Sequence, residues 1–254
     1  MENNGWSFCV ITALGNEKLL KGLINSILTE FKGKNFEIII VGNTKISNQY
    51  SQDFIKFFNF EEEIFFFKFN NIKKAIKEFS LKRLFFKTGA ICHKKNLAAK
   101  YSRFNKLCMM HDYVALQPGW KDGWDEYGDN WNVAMNIIQN MDGSRHRDWL
   151  NLDYPGVSLG NKIWEGSCLM PYEKVTKYMY IPGMYFCVKR DFFLQNLLNE
   201  KLFHCEGEDV EWSLRIREKT EFQMNTQAIV RYLKYKPVDW TLWNENEARL
   251  LKLI

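Results

Sequence analysis

Residues 7–43 read SFCVITALGNEKLLKGLINSILTEFKGKNFEIIIVGN, and the period of the apolar residues changes twice along them. SFCVITAL (7–14) is a short apolar run rich in β-formers, closed by the turn pair Gly15-Asn16, which suits a buried strand. From Glu17 to Phe31 the apolar residues are Leu19, Leu20, Leu23, Ile24, Ile27, Leu28 and Phe31, a one-sided pattern at helical period that Gly33 can close. EIIIVGN (37–43) is a second buried strand ending in a turn. Strand, helix, strand in forty-odd residues is the βαβ unit of a parallel sheet, with a right-handed crossover.

The same alternation continues. EIFFFKF (63–69) reads as a strand, NIKKAIKEF (71–79) as a short helix, AICHKKNLAAKYS (90–102) as a helix and KLCMM (106–110) as another buried strand. In open α/β sheets ligands bind beyond the carboxyl ends of the strands, so the tips at Thr12–Asn16, Gly42–Asn43 and His111–Tyr113 are where a ligand is expected. Beyond Gly119 the texture changes. PGWKDGWDEYGDNW is turn-rich and aromatic, WNVAMNII (131–138) reads as a strand and MDGS as a turn. MYIPGMYFCVK (179–189) reads as one strand, RDFFLQNLL (190–198) as a helix, GEDVEWSLRIRE as the opening of another, and QAIVRYL (227–233) as a last strand. The tail DWTLWNENEARLLKLI (239–254) has the spacing of an amphipathic helix, suited to docking on the domain or to contact with a membrane surface. Five of the nine tryptophans fall between Trp120 and Trp164, where core packing is the first reading and a platform for a sugar face the second.

A chain of 254 residues, 46% hydrophobic, can bury one sizeable core, and no linker, low-complexity tract or repeat divides it. One domain is expected over 1–254, with a first half at about 1–118, a second half at about 119–235 and a helical tail at 236–254. No basic leader opens the sequence, and no run reaches the ~18 apolar residues of a spanning helix. The six cysteines are widely spaced and lack a CxxC pair, so they read as reduced thiols of a cytoplasmic protein. The net charge of +5 permits anionic partners, but the lysines are interleaved with acids and form no dense patch, which argues against nucleic acid. Phosphate-cradling GxxxxGK[ST], zinc-binding HExxH and nucleophilic GxSxG are all missing.

Five segments, in this order, resemble the family 2 glycosyltransferases of the GT-A fold: FCVITALGNEKLLKGLINSIL, EIIIVGN, TGAICHKKNLAAKYSRFNKLCMMHDYVALQPGW, YIPGMYFCVKRDFF and GEDVEWSLRIRE, together spanning about residues 7 to 218. The resemblance implies a single α/β GT-A (Rossmann-like) domain, its mostly parallel central sheet flanked by helices, with a smaller antiparallel region on the acceptor side. It implies an inverting transfer of a sugar from a nucleotide donor, a UDP-sugar, to a hydroxyl of a glycan or glycoconjugate, the chemistry of polysaccharide biosynthesis. Donor contacts are implied at Thr12, Ala13, Asn43, Lys95, Asn96, His111, Asp112 and Gly183. Asp112 is the implied ligand of a divalent cation, Mn2+ or Mg2+, and Asp209, with Glu208 beside it, the implied catalytic base.

The chemistry asks for these residue types. An acceptor hydroxyl must lose its proton as it attacks the anomeric carbon, which needs a carboxylate on the acceptor side. The departing diphosphate needs positive charge, from a metal, basic side chains or helix N-terminal amides. A helix start favours acids through its free amides, so Glu208 and Asp209 also read as an ordinary cap. The chain departs from the family in three places. His111-Asp112-Tyr113 offers one carboxylate where relatives carry Asp-x-Asp, the second strand ends in Gly42-Asn43 instead of Asp, and IVRYLKYKP lacks the metal-binding His found after the final strand in many relatives. Lys94 or Lys95, beside Asn96, is the expected compensating cation, with Lys95 preferred. The competing reading is a catalytically silent nucleotide-sugar or glycan-binding module of the same fold.

Overall fold

The computed structural model describes residues 4–50, 52–60, 65–67, 85–87, 90–151, 168–202, 207–234 and 241–242. All six residues of strand β1 (Trp6–Ile11) are buried, as a strand flanked by neighbours and covered on both faces requires. The amphipathic helix α1 (Glu17–Glu30) follows, turning Leu20, Leu23, Ile24 and Ile27 inward, and Gly33 at φ 72° lets the chain reverse into β2 (Phe36–Val41). β2 lies parallel to β1, pairing Trp6 with Phe36 through Ile11 with Val41, so the expected βαβ unit is formed.

After β3 (Ile55–Phe58), β4 (Phe65–Phe67) and β5 (Phe85–Lys87) come α2 (Ala90–Tyr101), β6 (Lys106–His111), β7 (Val114–Leu116), α3 (Trp120–Tyr127) and β8 (Val133–Gln139). Then follow β9 (Leu150–Asn151), β10 (Cys168–Leu169), β11 (Met179–Tyr180), β12 (Tyr185–Lys189), α4 (Arg190–Gln195), α5 (Glu208–Ile216), β13 (Phe222–Tyr232) and β14 (Thr241–Leu242). Among the described residues the central sheet has eight strands in the order β3-β2-β1-β6-β12-β8-β13-β7. β3, β2, β1 and β6 run parallel, as do β8 and β13, while β12 is antiparallel to β6 and β8, and β7 to β13. A smaller sheet, β11-β9-β10-β14, is mostly antiparallel, and β4 pairs with β5.

Three local expectations are corrected. The segment after Gly119 is helical, not turn-rich: Gly119 and Gly128, at φ 85° and 81°, bound α3, and Trp120 and Trp124, one helical turn apart, are buried. The inner Gly123 is there because α3 lies against β13, where a Cβ would stand 2.5 Å from the Gln227 carbonyl oxygen. MYIPGMYFCVK is two strands, β11 and β12, parted by a turn at Pro182-Gly183. Where a helical tail is expected from 239, Thr241–Leu242 pair with β10 as a strand; the rest of that tail, and the helix expected at 71–79, lie outside the described residues.

The tryptophans favour the core-packing reading. Trp6, at the amino end of β1, has ring centroids 4.8 Å from Trp120, 5.3 Å from Trp124 and 6.1 Å from Trp131, and Trp149 is also buried. This cluster fills the end of the sheet opposite the carboxyl tips of β1, β2 and β6, leaving those tips for the polar residues described next. Among the described residues no helix is long and apolar enough to cross a membrane.

Candidate active site

β1 and β6 pair in register up to Ile11 with His111, so Thr12 and Asp112 leave the sheet side by side. The Thr12 hydroxyl donates to Asp112 Oδ2 over 2.7 Å and the Asn16 amide donates to the same oxygen over 3.0 Å. Asp112 is almost wholly buried. Burial raises its carboxyl pKa above the ordinary value, against the hydrogen bonds from Thr12 and Asn16, the charge of Lys234 and the Ala13 amide. The carboxylate thus pins the 12–16 turn to β6. On the other flank Gly42 holds φ 133°, and a Cβ there would meet the Thr12 carbonyl oxygen at 2.0 Å, so β2 can end beside β1 only with glycine. The Thr12 carbonyl also accepts from Lys94 Nζ at 2.8 Å. Ala13 and Asn43, half-buried, border these tips.

The second group gathers round the 182–184 turn. The His111 N–H donates to the Met184 carbonyl over 3.0 Å, which brings this turn against the β6 tip that carries Asp112. Gly183 then uses both of its backbone polar groups. Its N–H donates to Asp209 Oδ2 over 2.8 Å, and its carbonyl accepts from Lys95 Nζ at 2.5 Å. Lys95, on α2, is fully buried, and its ammonium also lies 3.7 Å from Glu208 Oε1. A Cβ on residue 183 would stand 2.9 Å from Glu208 Oε1 and 3.1 Å from Asp209 Cβ, so a larger residue here would push on both carboxylate side chains.

Gly207, at φ 68°, opens α5, which therefore begins with Glu208 and Asp209. Ser213 fastens the helix to the turn, donating to the Asp209 carbonyl over 2.7 Å and accepting from the Ile181 N–H over 2.9 Å. Asp209 keeps some exposure as a residue while its carboxyl is ringed by protein. Burial, then the charge of Glu208, push that carboxyl up from 3.8 to about 6, with the Gly183 amide, Lys95 and the Val210 amide pulling the other way. Free amides at a helix start favour an ionised acid, but here burial and a like charge outweigh them.

Of the sequence-derived residues, Lys95, Gly183, Glu208 and Asp209 form one cluster, Thr12, Ala13 and Asp112 its neighbour across the His111–Met184 hydrogen bond. Lys95 is turned to Gly183 and Glu208. Asn96 is turned away: its amide donates to the Leu198 carbonyl and Glu200 and accepts from the Leu198 N–H. His111 has Nδ1 2.6 Å from the Tyr113 hydroxyl. Sequence reasoning placed Asn16 at a strand tip without assigning it a contact, and passed over Lys234. Asn16 carried a signal in its place in the turn pair after β1. Lys234, whose ammonium lies 3.4 Å from Asn16 Oδ1, carried none, because 218 residues separate the two.

The described side chains alone do not assemble a cage for a divalent cation. Asp112 Oδ2 already accepts two hydrogen bonds, and among the described residues no three His, Cys, Asp or Glu side chains converge as a metal group.

No protein-family model and no curated protein matches the sequence. Solved structures match by shape. GalNAc-T7, solved with UDP, GalNAc and Mn2+, aligns with a TM-score of 0.59 at 13% identity over 98% of this chain and 48% of that one. TarS (1–349) of S. aureus, solved with UDP-GlcNAc, aligns with a TM-score of 0.52 at 14% identity over 94% and 60%. The chain spans less than two thirds of the length of either structure. At these identities the shared property is the fold, the GT-A-like α/β architecture of glycosyltransferases.

Proposed function

We propose that the protein is a glycosyltransferase that moves a sugar from a nucleotide donor, a UDP-sugar, to a hydroxyl of a glycan or glycoconjugate with inversion, using Asp209 as general base. The observation that carries this reading is the Asp209 carboxyl, raised to about 6 and held by the Gly183 amide at the sheet end where Thr12 and Asp112 close the first turn. A carboxylate in that range is mostly ionised at neutral pH yet basic enough to take a proton from an alcohol as its oxygen attacks, worth roughly 10²–10⁴ in rate. The GalNAc-T7 and TarS structures, which hold UDP and UDP-GlcNAc on the same fold, support a uridine diphosphate donor. In this reading the donor lies over the 12–16 turn, bordered by Ala13 and Asn43, with its sugar toward Gly183 and the acceptor between that sugar and Asp209. Glu208 and Lys95 set the charge around the base.

The lone carboxylate at the β6 tip favours a second reading, a silent binding module. Incubation with UDP-sugars and glycan acceptors, with proton NMR of the product, separates the two. An inverted anomeric centre is expected; a retained one overturns the direct displacement, and donor binding without turnover supports the module.

A further inference from the structure

Resting on the transferase reading above, we propose that Lys234 is the cation that neutralises the departing diphosphate, so that the site at the β6 tip works without a divalent metal. β13 ends at Tyr232, and the Leu233 N–H donates to the Tyr113 carbonyl over 2.7 Å, which lays Lys234 back over the strand tips. Its ammonium lies 3.4 Å from Asn16 Oδ1 and 4.5 Å from the centre of the Tyr113 ring. The other end of the same Asn16 amide donates to Asp112 Oδ2. One asparagine side chain therefore joins Asp112 and Lys234, and the positive charge stands one amide's width from the Asp112 carboxylate.

Lys94 and Lys95 are otherwise committed. Lys94 is buried, bonded to the Thr12 carbonyl and 5.8 Å from the Phe60 ring centre, and Lys95 is fully buried against Gly183 and Glu208. Lys234 is half-buried, with three ammonium hydrogens of which Asn16 takes one. In the transfer step the acceptor oxygen bonds to the anomeric carbon as the carbon–phosphate-oxygen bond breaks. The bonding pair leaves on the diphosphate, the acceptor proton goes to Asp209, and Lys234 keeps its own proton while its charge offsets the new negative one.

Calorimetric titration of the full chain with UDP and with uridine, in chelator and in Mn2+, tests this on the wild type, Lys234→Met and Lys234→Arg. Wild-type affinity for UDP is expected to be the same in chelator and in Mn2+. Lys234→Met should bind UDP about ten- to a hundredfold more weakly, the loss of one charge-assisted contact, while binding uridine as the wild type does, and Lys234→Arg should retain UDP. Uridine binding shows that the variants are folded. UDP binding that needs Mn2+, or that Lys234→Met leaves unchanged, overturns this inference and leaves the transferase reading standing. A wild type that binds no UDP in either condition overturns both.

Discussion

Replacing Asp209 by Asn should make the protein more stable at neutral pH and nearly inactive. The carboxyl is raised from 3.8 to about 6 by burial and by Glu208, so the folded state holds this proton more tightly than the unfolded chain does. Between about pH 4 and 6 the folded state therefore binds more protons, and stability falls as pH rises through that window. The contribution is fully present below about pH 4 and gone above about pH 6. At about 1.4 kcal/mol per pH unit the gap is worth on the order of 3 kcal/mol. Asparagine keeps an oxygen for the Gly183 amide and carries no charge, so the variant escapes this loss. Urea unfolding of both proteins at about pH 4 and pH 8 should give a stability difference that grows by about 3 kcal/mol in favour of Asp209→Asn at the higher pH, other titrations cancelling between the two. Turnover should fall by roughly 10²–10⁴. A stability difference that is the same at both pH values refutes the burial argument. A growing difference with turnover intact refutes the base assignment alone.

The neighbours of Asp209 should move its titration in opposite directions. Lys95→Met removes a charge that holds the carboxyl down, so the acid limb of the kcat/KM profile should shift above about pH 6, whereas Glu208→Gln removes one that pushes it up and should shift the limb lower; pH–rate profiles of the two variants check the signs. Gly183→Ala puts a Cβ 2.9 Å from Glu208 Oε1 and 3.1 Å from Asp209 Cβ, which displaces the base by tenths of an ångström. Its kcat should drop by up to about 10²-fold with little change in the affinity for UDP, measured by steady-state kinetics beside titration.

The part of the fold that local chemistry dictates was legible. Leu20, Leu23, Ile24 and Ile27 write α1 at helical period, and the unbroken apolar runs of β1 and β2 announce strands covered on both faces. The failures share a cause. Around Trp120, glycines that punctuate loops elsewhere mark the two ends of a helix and its close contact with β13, and a sequence does not say which backbone a glycine will touch. The same holds at 179–189, where continuous β-former content hid the Pro182-Gly183 turn between β11 and β12. For the site, residue types at strand tips and helix starts marked Thr12, Asp112, Glu208 and Asp209. What they could not mark is the direction of a side chain on α2, so Lys95 and Asn96, adjacent in sequence, were given the same task while one turns to Gly183 and the other to Leu198 and Glu200.

The basicity of Asp209 is set by a backbone turn as much as by charged side chains. Burial and Glu208 alone would favour the protonated acid, which cannot take a proton from an alcohol; the Gly183 N–H and the Lys95 ammonium bring the carboxyl back toward ionisation. Both restraints meet at one residue, since the same glycine whose N–H holds Asp209 offers its carbonyl to Lys95. This turn ties Asp209 to the β6 tip through the His111–Met184 hydrogen bond, so Asp209 and the strand tip carrying Asp112 are positioned as one unit.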